Sequence, residues 1–133
     1  MASVTPLGDA PFEIDQVDGM TVYRLLTTSL MSPVELARIT DELRGHTEEH
    51  QLKVAVLNMA AVSYCSSAGL GMIMELNKVL RRNGGTLVLC CVGAIEEILR
   101  ITRMHKVLEI APDEEAAVAK AARANAARTG RGK

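Results

Sequence analysis

Two adjacent serines, Ser66 and Ser67, are the residues of this chain whose type and position best suit chemistry. They follow a predicted interior strand and precede a predicted helix, and the stretch from Asn58 to Gly71 contains no charged side chain. In open α/β sheets, functional groups collect at the carboxyl ends of strands, where loops meet helix N-termini. A serine hydroxyl at such a place could cap the helix, act as a nucleophile, or accept a phosphate that switches binding.

Nucleophilic catalysis is the least supported of these roles. A glycine two residues after Ser67 resembles half of the nucleophile elbow G-x-S-x-G, but Cys65 stands where the first glycine belongs. No base or orienting acid is identifiable beside the serine. The three histidines are predicted elsewhere, in the loop after the first helix and the turn after the third: His46, His50 and His105. We therefore predict that the protein is not an enzyme and has no catalytic residue.

The composition and net charge of the chain limit the kinds of partner that it can bind. The chain has 133 residues, which is the size of one domain, and its formal net charge is -1. Without excess positive charge, and with aromatic residues at only 2%, direct nucleic-acid binding is not expected. No apolar run reaches the roughly 20 residues of a membrane helix, and no secretory signal is visible, so a cytoplasmic location without a membrane span is predicted.

Cofactor and metal signals are also missing from the sequence. Neither G-x-x-x-x-G-K-[ST] nor G-x-G-x-x-G occurs, and no spaced Cys and His ligands suggest zinc, so no cofactor and no metal are predicted. The three cysteines are Cys65, Cys90 and Cys91. We expect buried free thiols, with Cys90 and Cys91 on opposite faces of a strand and Cys65 the most reactive.

Turn and capping residues mark the order of the elements. Asp18-Gly19 predicts a hairpin, with Val22 and Tyr23 on opposite faces of its return strand. Ser32-Pro33 predicts the start of a helix that ends at Gly45. The remaining predictions are a strand at 52–57, a helix at 69–82, a strand at 86–92, a helix around 95–102, a short strand at 107–110 and an alanine-rich helix after Pro112.

This alternation predicts a single α/β domain. The expected fold has a mostly parallel central sheet, an N-terminal hairpin, and helices packed mainly on one face. We divide the chain into an N-terminal arm at 1–11, the domain at 12–118, and a basic helix end and tail at 119–133, which we expect to be solvated.

The stretch from Asn58 to Gly71 resembles the sequence signature of STAS domains, the family of anti-sigma factor antagonists. That signature runs roughly as Asp-Leu-Ser-Gly-Val, two residues, an apolar residue, then Asp-Ser-Ser/Thr-Gly-Leu-Gly. The family's order of elements also follows, so the resemblance covers about residues 12–118 and implies a STAS-like fold. It aligns Ser67 with the phosphorylatable serine, with Ser66 as the alternative acceptor. Asn58 and Ser66 replace frequent aspartates of the signature, and Ala68 replaces a hydroxyl residue.

The resemblance implies a non-enzymatic binding module switched by phosphorylation. Its partner would be an anti-sigma factor that is also a serine kinase, which binds the ATP and magnesium, and a phosphatase would reset the switch. The alternative is a STAS subunit of a transporter ATPase or signalling scaffold, whose serine loop is an interface without phosphorylation. The partner-binding surface is predicted to comprise Thr28, Ser29, Ser66, Ser67, Ala68, Gly69, Leu70 and Met72.

Overall fold

The computed structural model of the chain describes residues 11–131, with side chains as far as residue 126. Most of the predicted N-terminal arm and the end of the predicted tail therefore lie outside the described residues. The strands are β1 (Phe12–Val17), β2 (Met20–Leu25), β3 (Ser29–Leu30), β4 (Val54–Asn58), β5 (Tyr64–Cys65), β6 (Thr86–Cys90) and β7 (Glu109–Ala111). The helices are α1 (Pro33–Glu49), α2 (Ser67–Arg82), α3 (Glu96–Ile101) and α4 (Glu114–Arg131), with short 3-10 turns at Gly93–Ile95 and Met104–Lys106.

The main sheet has five strands in the order β1-β2-β4-β6-β7. Strand β1 is antiparallel to β2, and all other neighbours are parallel. The hairpin turns at Asp18 and Gly19, whose φ angles of 52° and 83° suit the tight turn that twisted strands prefer. The predicted hairpin and largely parallel sheet are confirmed. A separate parallel pair, β3 with β5, lies outside this sheet.

Helices cover the two faces of the sheet unequally. One face carries the larger core, in which Tyr23, Leu57 and Leu89 pack against apolar residues of α1, α2 and α3. The opposite face presents valines from β2, β4 and β6. Among the helices of residues 11–131, α4 alone packs against them, through small residues such as Ala117 and Ala121. The alternation predicted for β2 is confirmed, because Val22 and Tyr23 belong to opposite cores. The predicted arrangement, with helices mainly on one face, is also confirmed.

Helix α1 does not end at Gly45, as predicted, but continues to Glu49. His46 is therefore helical, and His50 is the C-cap residue and not a loop residue. The reason is tertiary packing: Thr47 in the last turn is buried, and the Tyr23 hydroxyl contacts Thr47 Oγ1 at 2.8 Å and His46 Nδ1 at 2.9 Å. These contacts outweigh the roughly 1 kcal/mol that a glycine costs inside a helix.

Strand β6 is shorter than predicted, and this changes the position of one cysteine. The strand ends at Cys90, and Cys91 has a φ of 60°, which turns the chain away from the sheet. The expectation that Cys90 and Cys91 lie on opposite faces of one strand is therefore wrong. Cys65 and Cys90 are buried and Cys91 is partly exposed, so the expectation of buried thiols is wrong for Cys91.

Candidate functional site

The serine loop is held in place by the short parallel pair of β3 and β5. Ser63 donates to the Thr28 carbonyl oxygen through both its backbone amide, at 2.8 Å, and its hydroxyl, at 3.2 Å. Further along, the Ser66 amide donates to the Leu30 carbonyl oxygen at 3.1 Å. These hydrogen bonds place Thr28 beside Ser63 and Leu30 beside Ser66, although the two segments are far apart in sequence. Ser29 pairs with Tyr64 and not with Ser66 or Ser67.

Ser66 is the N-cap residue of α2. Its backbone is extended, and its Oγ accepts a hydrogen bond from the Gly69 amide at 3.2 Å. The same hydroxyl donates to the Leu30 carbonyl oxygen at 3.1 Å. The Ser66 hydroxyl is therefore engaged both as acceptor and as donor, and it joins the start of α2 to β3.

Ser67 has a different environment. It is the first residue of α2, it is exposed, and within residues 11–131 no group hydrogen-bonds to its hydroxyl. The backbone amides of Ser67 and Ala68 belong to the helix turn that has no intrahelical acceptors. A negatively charged group on Ser67 would meet those amides and the positive end of the helix dipole.

Gly69 brings the start of α2 into direct contact with its neighbours. A Cβ atom at this position would lie 2.7 Å from Cys65 Sγ, 2.8 Å from the Leu30 carbonyl oxygen and 2.9 Å from Leu30 Cβ. Real Cβ atoms do not approach so closely. The glycine therefore permits the close approach of α2 to β3 and β5.

Three residues predicted on the partner-binding surface are buried, and two others, Ser29 and Ser66, are only partly exposed. Gly69 is buried, and Leu70 and Met72 are only 5% and 4% exposed because they face the main core. The expectation that they form a surface was wrong, since the helical period turns these positions inward while Ser67, Ala68 and Gly71 face outward. The exposed surface around the two serines includes Thr28, Tyr64, Ser67, Ala68 and Gly71.

An apolar groove beside the loop was not predicted. It has a volume of about 340 Å³ and lies between β5 and α3, where Tyr64, Ile98 and Ile101 contribute to its lining. Tyr64 and Ile101 are 58% and 71% exposed, which is unusual for large apolar side chains. The sequence signal that could have found it is Tyr64, a single aromatic residue in an otherwise small and uncharged loop.

The loop begins at a polar cluster that also anchors α4. Asn58 Nδ2 donates to Glu114 Oε1 at 2.7 Å, and Asn58 Oδ1 accepts from the Ala60 amide at 2.8 Å. Arg24 binds Glu114 through two nitrogens, both at 2.8 Å, and this pairing lowers the pKa of Glu114. An aspartate in place of Asn58 would lack the amide donor and would face Glu114 as a like charge. Asparagine at this position of the signature therefore fits its surroundings.

None of the three histidines contacts the serines. His46 contacts the Tyr23 hydroxyl, the His50 ring lies 4.3 Å from that of His46, and His105 Nδ1 lies 3.4 Å from the Leu99 carbonyl oxygen. Within the described part of the chain, no group of three or more His, Cys, Asp or Glu side chains could hold a metal ion. No described helix is both long enough and apolar enough to cross a membrane.

Comparisons with known proteins agree with this geometry. The STAS domain family matches residues 12–117. BtrV of Bordetella bronchiseptica, named as a candidate anti-sigma factor antagonist, is 29% identical over 107 residues, which are 80% of this chain and 90% of that protein.

Two solved structures share the fold. A candidate anti-sigma factor antagonist of Thermotoga maritima superimposes with a TM-score of 0.71 at 18% identity, covering 83% of this chain and 93% of that one. The anti-sigma factor antagonist SpoIIAA in its unphosphorylated form gives a TM-score of 0.64 at 13% identity, covering 84% and 97%. The family match over most of the domain, together with this fold and the serine loop at the start of α2, establishes that the chain belongs to the STAS domain family.

Proposed function

We propose that this STAS domain is an anti-sigma factor antagonist whose binding is switched by phosphorylation of Ser67. In the unmodified state it binds an anti-sigma factor that is also a serine kinase, and after phosphorylation it releases that partner. The domain itself has no enzymatic activity and binds no cofactor, because the kinase holds the ATP and magnesium. A phosphatase restores the unmodified state, and the cycle takes place in the cytoplasm.

The observation that carries this proposal is the contrast between the two serines. Ser66 is fixed by two hydrogen bonds at the helix cap, whereas the Ser67 hydroxyl is exposed and unengaged in the described structure. A kinase needs an accessible hydroxyl, and modification of Ser66 would break the cap. Ser67 is therefore favoured over Ser66 as the acceptor. The name of the relative BtrV supports the class of partner.

A phosphate on Ser67 would change binding without unfolding the domain. It adds about 1.5 to 2 negative charges at the positive end of α2, where the free amides and the dipole stabilise it. The loop from Asn58 to Gly71 and the adjoining segment from Thr27 to Ser32 contain no Lys or Arg to neutralise that charge. A partner covering this surface and the neighbouring apolar groove would have to remove water from the phosphate, which is costly without a paired cation.

Phosphorylation by candidate kinases tests the acceptor. Each anti-sigma factor kinase encoded in the same genome is incubated with the purified chain, ATP and magnesium, and the phosphorylated residue is located by mass spectrometry. We expect phosphate on Ser67, none on Ser67→Ala, and continued phosphorylation of Ser66→Ala. The matched Ser66 variant should lose about 1 kcal/mol of stability with its cap. Phosphate found only on Ser66, or only outside both serines, would contradict the assignment.

Binding of the same kinases tests the switch. Ser67→Glu should keep its melting temperature but bind the partner more weakly than Ser67→Ala, because the charge must be desolvated in the complex. Binding by the wild-type chain with no phosphorylation by any kinase would instead favour the alternative function, a STAS subunit of a transporter ATPase or signalling scaffold. Turnover of activated esters that is lost in Ser67→Ala would show an enzyme and refute both.

A further inference from the structure

A second groove runs along α2 and ends against the 3-10 turn that follows α3. It has a volume of about 570 Å³, and we call it the basic groove. The residues that matter for its chemistry are Gly71, Met74, Lys78, Arg81, Lys106 and Val107. Four of them lie on one face of α2, and the other two come from the turn at Met104–Lys106 and the residue after it.

The charges of the basic groove are largely unpaired. Within the described residues, neither Lys78 nor Lys106 has a carboxylate partner, and Arg81 makes one weak contact, to the Val107 carbonyl oxygen at 3.4 Å. The one acidic residue of the lining, Glu75, is paired with Arg44 at 3.4 Å. Three positive charges therefore converge on one groove of a chain whose formal net charge is -1.

The floor of the basic groove is apolar. Met74 is partly exposed, and Val107 is 46% exposed. From Gly71 to Arg81 the groove follows about 15 Å of helix, which is enough for a helix of two to three turns from another protein. Gly71 lies one turn after Ser67 on the same exposed side of α2, so the basic groove is continuous with the phosphorylation surface.

We propose that the basic groove binds an acidic amphipathic helix of the partner that Ser67 controls. Apolar side chains of that helix contact Met74 and Val107, and its carboxylates pair with Lys78, Arg81 and Lys106. The charge pattern speeds association and orients the partner with respect to Ser67. This inference rests on the proposed function for the identity of the partner. A protein segment is favoured over nucleic acid because no aromatic side chain of the described lining offers a surface for base stacking.

A synthetic peptide tests the groove without the partner. The probe is a labelled 18-residue helical peptide (about 27 Å long) with leucines on one face and glutamates on the other, and its control has lysines in place of the glutamates. We expect only the acidic peptide to bind, to shift the amide NMR signals of Gly71, Lys78 and Lys106, and to lose affinity as salt rises. Tighter binding of single-stranded oligouridine or of inorganic phosphate would show a different class of ligand and overturn the proposal.

Matched charge reversals locate the effect. Lys78→Glu should weaken peptide binding about three- to tenfold, whereas Lys53→Glu, an exposed lysine outside the basic groove, should leave it unchanged. Equal effects of the two variants would refute the groove.

The same pair is then measured with the kinase that phosphorylates Ser67. We expect Lys78→Glu to lower the rate of association with the kinase and to make that rate less dependent on salt. If Ser67→Glu weakens that complex and Lys78→Glu does not, the proposed function stands and the groove is refuted. If the peptide data hold but no kinase modifies Ser67, the proposed function fails alone.

Discussion

Adding one methyl group at Gly69 should destabilise the domain, whereas the same change two residues later should stabilise it. In Gly69→Ala the new Cβ would lie below 3.0 Å from both Cys65 and Leu30, so these neighbours must move by at least about 0.5 to 0.7 Å to reach ordinary contact. In Gly71→Ala nothing lies within 4 Å of the new atom. The two variants carry an identical chemical change near the start of one helix, at a buried position and at an exposed one.

The magnitude follows from the contacts at Gly69. Overpacking costs about 1–3 kcal/mol, and displacement of the Leu30 carbonyl oxygen weakens two hydrogen bonds to Ser66, at about 0.5–1.5 kcal/mol each. Alanine regains about 1 kcal/mol of helix propensity, so the net loss lies between about 1 and 5 kcal/mol, with a middle value of about 3 kcal/mol. For a domain of this size that lowers Tm by about 10 °C. Gly71→Ala keeps only the gain of about 1 kcal/mol and should raise Tm by a few degrees.

Thermal unfolding followed by circular dichroism, together with urea titration, measures both variants. A Gly69→Ala protein as stable as the wild type would show that α2 does not approach β3 as closely as described. If Gly71→Ala lost as much stability as Gly69→Ala, the effect would be general to this helix and unrelated to the contacts with Cys65 and Leu30. Gly69→Val should be less stable than Gly69→Ala, since its branched side chain enlarges the same clash.

Two further predictions concern thiols and acid stability. Thiol labelling of the native chain should modify Cys91 first, because Cys91 is partly exposed whereas Cys65 and Cys90 are buried. Burial also raises the pKa of Cys65 to about 11, which reduces its reactive thiolate form. Faster labelling of Cys65 or Cys90 than of Cys91 would contradict the burial described. Pairing with Arg24 lowers the pKa of Glu114 in the folded state. The stabilisation that Glu114 contributes to the folded domain is therefore fully present above the carboxyl pKa of the unfolded chain, and it is lost as the pH falls through the carboxyl pKa of the folded state. Glu114→Gln should therefore reduce stability at neutral pH, by about 1 kcal/mol for a partly exposed pair, and flatten the acid limb of a plot of stability against pH. An unchanged acid limb would refute this assignment.

The order of elements could be predicted from sequence because local signals marked their boundaries. Asp18-Gly19 determines the hairpin by turn geometry, and Ser32 caps α1 as predicted, with its Oγ accepting from the Glu35 amide at 3.3 Å. Each of these signals determines the backbone conformation of residues close to it in sequence. Gly45 is the opposite case, since its local preference to end a helix is overcome by the contact between Tyr23 and the last turn.

The location of the candidate site could be predicted from local sequence patterns, but the contacts that separate the roles of its two serines could not. The positions of Ser66 and Ser67 at a strand-to-helix junction followed from the pattern of the loop. Their different roles did not, because the difference depends on the Leu30 carbonyl oxygen, which only the pairing of β3 with β5 brings to Ser66. Helical periodicity in the predicted helix at 69–82 places Leu70 on the inward face, which its burial confirms, and this conflicts with its assignment to the partner-binding surface.

The position of α4 at the end of the described chain has a consequence for synthesis on the ribosome. The valine face of the sheet has no other helix among the described residues, so Val22, Val56 and Val88 stay uncovered until the segment with Ala117 and Ala121 has left the exit tunnel. Domains fold as units during translation, and exposed apolar strands in incomplete chains promote aggregation. A nascent chain that stalls before α4 would therefore expose an apolar surface to chaperones, and release of α4 from the tunnel ends this exposure.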